Sequence, residues 1–189
     1  LPEFPKQVTD ALRQPLEDGQ ILITRAAGKA VFPSRFMLVC AMNPCKCGYF
    51  GDESKKCTCT PAAIKQYLQR VSGPLLDRID IQVEVSPVNY EQLSDERKGE
   101  TSKVIKERVN KTRKIQLERY KGLNIYSNSQ LNAGMLQKFC PLGEAENTLL
   151  KAAFESLGLS ARAHSRILKV ARTIADLEQS ENITTEHIA

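Results

Sequence analysis

The sequence predicts an α/β unit followed by an all-α unit, and three patterns carry that expectation. Phe36 to Met42 is an unbroken apolar run, as in a strand covered on both faces of a parallel sheet. Further on, Ile79, Ile81, Val83 and Val85 alternate with Asp80, Gln82 and Glu84, the pattern of a half-buried strand. Beyond Pro87 the chain becomes highly charged and its apolar residues recur at helical spacing. The expected division is 1–90 for the α/β part and 91–189 for the helical part.

The 189 residues allow one large or two small domains. A hydrophobic fraction of 41% can supply a core, and a net charge of +5 permits an anionic partner without requiring one. No stretch approaches the roughly 20 apolar residues of a membrane span. Six cysteines are too few for a disulfide scaffold, and the C-x-C pairing suits metal ligation in a reducing cytoplasm.

Taken in order, Val8, Leu12 and Leu16 are spaced for a helix over 6–18 that carries Pro15 near its end and breaks at Gly19. Ile21–Thr24 and Ala30–Phe32 then form a hairpin, with Arg25 and Lys29 at its tip. Asn43-Pro44 stops the apolar run, inside which Cys40 reads as a small buried residue. Thr60 and Pro61 are an N-cap and a first helical residue; the helix continues to Val71 with Ile64, Leu68 and Val71 on one face. From Ser94 to Lys121 a long helix with a thin stripe (Val104, Ile105, Val109, Thr112) reads as a solvated surface, with nucleic-acid contact as the alternative. Helical segments follow near 130–139 and 144–157. The last strong helix starts at Ser160, with Ile167, Val170, Ala171, Ile174 and Leu177 as its apolar stripe, and a shorter segment begins at Thr184.

Cys45-x-Cys47 and Cys57-x-Cys59 stand nine residues apart. Four thiolates suit tetrahedral Zn²⁺ and would clip a polar loop that has no core of its own. C-x-C chelates with more strain than C-x-x-C, so four reduced thiols in a surface loop remain the alternative. His164 and His187 have no ligand spacing and read as structural.

Four motifs stand out: Leu-Arg-Gln-Pro-Leu-Glu-Asp-Gly (12–19), Ala-Met-Asn-Pro at a strand end (41–44), Ser-Gly-Pro-Leu-Leu-Asp-Arg (72–78) and Ser-Ala-Arg-Ala-His-Ser-Arg-Ile-Leu-Lys-Val-Ala-Arg-Thr-Ile-Ala-Asp-Leu (160–177). Together they resemble the ComM/YifB branch of the magnesium-chelatase-like AAA+ ATPases over essentially the whole chain. The resemblance implies part of an AAA+ core, with a parallel sheet, flanking helices and a hairpin insertion, followed by an α-helical lid. It also implies ATP and Mg²⁺ as ligands of the parent protein, self-assembly into a hexameric ring, and DNA, single-stranded or branched, as partner. No G-x-x-x-x-G-K-[ST] is present, and the family's Walker B pair would fall just before Leu1-Pro2-Glu3-Phe4. The stretch alone is therefore expected to be inactive.

Residue by residue, the resemblance makes Asn43 sensor 1, Arg78 the arginine finger and Arg162 sensor 2. Arg70 and Arg166 are the alternates for nucleotide contact. Arg25 and Lys29 become DNA-contacting residues of a pore hairpin. Without the family, Asn43 is a strand stop, Arg78 a salt-bridge partner of Asp77 or Asp80, and Arg162 part of a solvated face. The competing reading is a zinc-stabilised nucleic-acid-binding module without an ATPase role.

Overall fold

The computed structural model describes residues 1–86, 88 and 99–189. It divides into two compact units, Leu1–Ser94 and Asp95–Ala189.

In the first unit the helix expected over 6–18 is two helices, α1 (Lys6–Ala11) and α2 (Arg13–Asp18), parted at Leu12. Pro15 has no N–H to give the Ala11 carbonyl. It sits instead in the first turn of α2, where that donor would be unused anyway. Gly19 ends α2 at φ 63°, the left-handed conformation that glycine adopts without a Cβ penalty. The hairpin follows as β1 (Gln20–Arg25) antiparallel to β2 (Gly28–Pro33), with Ile23 opposite Ala30 and Arg25 opposite Gly28. Both strands are exposed along their whole length.

The expected parallel sheet is not observed: among the described residues the hairpin is the only sheet. Residues 36–42 and 79–85 form no strand. Met37 and Val85 are left 86% and 84% exposed. An apolar run becomes a strand only where a neighbouring strand pairs with its N–H and C=O groups, and among the described residues no strand lies beside either run. Cys40 lies in this run and is exposed, not buried.

Helix α3 (Pro61–Leu68) starts as expected: Thr60 Oγ1 accepts from the Ala63 N–H at 3.2 Å, with Pro61 at its first position. Tyr67 and Val71 are buried, while Leu68 faces out. The turn at Ser72 opens the short helix α4 (Gly73–Leu76), whose Leu75 is fully buried. Polar ties close this small unit: Ser72 Oγ donates to Asp10 Oδ1 at 2.5 Å, and Arg70 Nη1 to the Pro2 carbonyl at 3.4 Å.

The second unit contains α5 (Ser102–Arg119), α6 (Ala133–Phe139), α7 (Glu144–Leu157), α8 (Ala161–Leu177) and α9 (Thr185–Ile188). The expected earlier start of α5, with Arg97 and Lys98, lies outside the described residues. Thr101, Asn132 and Ser160 cap α5, α6 and α8 through their side chains. Tyr120, Leu131, Leu136, Cys140, Leu150, Leu168, Ala171, Ala175 and Ile183 form the core, and Tyr120 meets Phe139 edge-on at 5.1 Å.

The buried face of α8 is rotated from the expected stripe: Leu168, Ala171, Arg172, Ala175 and Asp176 are buried, while Ile167, Val170, Ile174 and Leu177 are partly so. The reason is a polar network inside the unit. Arg119 grips Asp176 with both terminal nitrogens, one at 2.7 Å. Arg172 Nε donates to the same carboxylate at 3.0 Å, and its other nitrogens donate to the Ser180 and Glu181 carbonyls. Asn128 Nδ2 donates to Asp176 at 2.9 Å, and Tyr120 OH to Asn128 Oδ1 at 2.5 Å. Burial works to raise the Asp176 pKa, but the Arg119 and Asn128 hydrogen bonds outweigh it and hold the carboxyl below its usual range. Arg119, which the charge pattern of α5 assigned to solvent, is therefore structural.

His187 is buried and caps α9: its Nδ1 accepts from the Thr184 N–H at 2.8 Å, and Nε2 meets Glu178 at 3.0 Å. That pattern suits the tautomer protonated on Nε2.

Candidate functional site

The four loop cysteines converge. Gly48 and Gly51, at φ 86° and 84°, turn the chain after the first pair, and Asp52 accepts from the Ser54 N–H at 2.7 Å to close the loop. Cys45 Sγ lies 3.3 Å from Cys47 Sγ and 3.7 Å from Cys57 Sγ, and Cys47 and Cys57 are 3.5 Å apart. All four Sγ atoms, Cys59 included, lie within 4.8 Å of one another. A tetrahedral Zn²⁺ with bonds of about 2.3 Å needs sulfurs roughly 3.8 Å apart, so the donor set fits that ion.

Electrostatics divides the four thiols. The Tyr49 backbone N–H, with that of Thr58, holds Cys47 down to about 5. The Cys59 N–H favours a Cys57 thiolate, yet burial and the neighbouring Cys47 and Cys45 sulfurs push Cys57 up to about 12. Negative charges this close oppose one another, and a divalent cation is the group that lets all four ionise together.

Arg78 occupies a second constellation. Its Nη2 pairs with Glu17 Oε2, and its Nη1 donates to the Pro74 carbonyl at 2.6 Å. Neither Asp77 nor Asp80, the neighbours in sequence, is the partner in that pair. The side chain is 12% exposed, and its buried Nε has no hydrogen-bond partner. Arg13, whose Nε is also buried and unpartnered, shares with it a cleft of about 640 Å³ that Asp10, Glu17 and Asp18 also line. Glu17 and Arg13 were not singled out from sequence. Both lie in the 12–19 motif, but their approach to Arg78 across 61 residues in the case of Glu17 is a tertiary fact.

The remaining residues stand apart. Asn43 is exposed just beyond the apolar run, and Arg70 reaches the Pro2 carbonyl. Arg25 and Lys29 flank the hairpin turn on adjacent rungs of the ladder. In the second unit Arg162 is exposed in the first turn of α8, with Arg166 one turn on and half-buried. No helix among the described residues is long and apolar enough to cross a membrane.

Residues 1–93 match the family described as magnesium chelatase, subunit ChlI, and residues 99–189 match its C-terminal counterpart. Competence protein ComM of Haemophilus influenzae is 46% identical over 191 residues, covering 100% of this chain and 36% of ComM. An uncharacterised Escherichia coli protein, YifB, is 41% identical over 189 residues, again covering 100% of this chain and 36% of the relative. An uncharacterised Mycobacterium tuberculosis protein is 34% identical over 175 residues, covering 93% of this chain and 34% of its own length. The chain thus spans little more than a third of these relatives. Two successive matches from the same family account for nearly every residue, in the order of the motifs. The chain belongs to the magnesium-chelatase-like family, in the branch that contains ComM and YifB.

Proposed function

We propose that the chain is part of an ATP-hydrolysing AAA+ ring motor that moves or remodels DNA, contributing the second half of the nucleotide module and its helical lid. The observation that carries this reading is the match of the whole chain to competence protein ComM, at 46% identity over 36% of that protein. In this reading Asn43 orients the attacking water, and Arg78 reaches the γ-phosphate held by a neighbouring subunit. Arg162, with Arg166 beside it, closes the lid on the nucleotide of its own subunit. Phosphoryl transfer depends on such positioning and charge stabilisation more than on covalent chemistry. Arg78 is held by Glu17 and the Pro74 carbonyl, so in this reading the guanidinium exchanges those partners for the neighbouring subunit's phosphate.

Cys45, Cys47, Cys57 and Cys59 would hold a structural Zn²⁺ that orders the loop beside Asn43. The ion's part is to neutralise and clip four thiolates. Arg25 and Lys29 would contact DNA phosphates from the hairpin.

The test is ATP hydrolysis by the longer protein with Mg²⁺, with and without single-stranded DNA, beside its Arg78→Ala form. The expected result is DNA-stimulated hydrolysis that Arg78→Ala lowers by roughly 10³–10⁵-fold while ATP still binds. An assembled protein that binds ATP and never hydrolyses it would overturn the motor reading. Convergence of the four sulfurs keeps a second reading alive, a zinc-stabilised nucleic-acid module; it predicts DNA binding lost on chelation and no ATPase in the longer protein.

A further inference from the structure

The net charge of the chain is concentrated in one helix. Within α5 seven basic residues stand against two acidic ones, a net +5 that equals that of all 189 residues. Among the described residues two of the seven have acidic partners: Arg108 makes a bidentate ion pair with Glu100 at 2.8 and 2.9 Å, and Arg119 grips Asp176. Lys103, Lys106, Arg113 and Lys114, with Asn110 between them, recur at i, i+3, i+7, i+10 and i+11, which places them on one side of the helix. All five are exposed, as is Glu107, which stands beside them four residues on from Lys103. Among the described residues none of the four cations has an acidic partner. The inward residues Thr112 and Gln116 belong to another face.

We infer that this face of α5 is a nucleic-acid contact surface, tracking phosphates with Lys103, Lys106, Arg113 and Lys114 while Asn110 donates a hydrogen bond to the same backbone. Lys103 to Lys114 covers roughly 16 Å of helix. Over that length one strand of a duplex presents about five phosphates. Cations one helical turn apart suit a polymer whose charge repeats. Four cations against the single Glu107 leave this flank net positive, a self-repulsion that a polyanion removes. The inference rests on the DNA reading above but adds a second contact, in the other unit from the hairpin.

The experiment follows fluorescence anisotropy of a labelled oligothymidylate titrated with the 189-residue chain over a range of salt. Three forms are compared: the unchanged chain, the quadruple variant Lys103→Gln/Lys106→Gln/Arg113→Gln/Lys114→Gln, and the hairpin variant Arg25→Gln/Lys29→Gln. Glutamine keeps helix propensity while removing charge. Four single-strand contacts give a log–log salt slope of about −2.8, or roughly 50-fold in affinity between about 50 and 200 mM salt. The quadruple glutamine variant is expected to lose that component, and the charge-keeping variant Lys103→Arg/Lys106→Arg/Arg113→Lys/Lys114→Arg to retain it. If the glutamine variant keeps the parent slope while the hairpin variant binds weakly, the helix surface is refuted and the DNA reading stands. If the unchanged chain binds no oligonucleotide at low salt, both fall.

Discussion

Asp176→Ala offers the most direct measure of what holds the second unit together. The carboxylate receives hydrogen bonds from Arg119, Arg172 and Asn128, and its side chain has no exposed surface. Removing it leaves Arg172, 3% exposed, without its counter-charge, although the Ser180 and Glu181 carbonyls still hold the guanidinium. Breaking a buried pair from one side destabilises by about 3–5 kcal/mol. Against a domain stability of roughly 5–15 kcal/mol, that is a large fraction. With a urea slope of about 1–3 kcal/mol/M, the midpoint should fall by about 2 M. The assay is urea unfolding followed by far-ultraviolet circular dichroism, with Arg108→Ala as control. Its partner Glu100 is exposed, so that variant should lose less than about 1 kcal/mol. Equal effects for the two variants would refute the reasoning, because burial would then add nothing to the pair.

The same carboxyl sets a pH dependence, since its folded pKa is depressed: its stabilisation is present above an unfolded value of about 3.9 and is lost as pH falls through the folded one. The stability gap between the unchanged chain and Asp176→Asn should therefore close on acidification below about pH 4, and a gap that widens there would contradict the sign. Chain purified from zinc-supplemented medium should carry a single equivalent of Zn²⁺ by mass spectrometry, and Cys57→Ser should remove it; equal metal content in both would remove the four-sulfur site. At neutral pH an aromatic disulfide reagent should modify exposed Cys40 quickly and Cys140 only on unfolding, because burial pushes the Cys140 thiol up to about 11. Ser160→Ala should cost about 1 kcal/mol by leaving the Ala163 N–H without its cap, and a stability unchanged in urea would show the cap to be idle.

Local chemistry was legible wherever neighbours in sequence decide the outcome. Thr60 and Ser160 as N-caps, Pro61 as a first helical residue, the break at Gly19, and the hairpin over 20–33 follow from short-range hydrogen bonding and backbone sterics. The four cysteines were likewise readable, since two C-x-C pairs across a Gly-bearing loop need only fold back on themselves. The family followed from motif order, which no single element carries.

Tertiary structure decided the rest. The apolar runs at 36–42 and 79–85 have strand chemistry, yet a strand is a relation between segments, and among the described residues neither run has a partner strand. Glu17 as the partner of Arg78, and Asp176 as the partner of Arg119 across 57 residues, are charge pairings that composition allows and only the fold selects. Helix α8 turns a face containing Arg172 and Asp176 inward because their hydrogen bonds are satisfied there by Arg119, Asn128 and two carbonyls. Periodicity ranks residues by their own solubility. Burial is decided by what the rest of the chain brings to meet them.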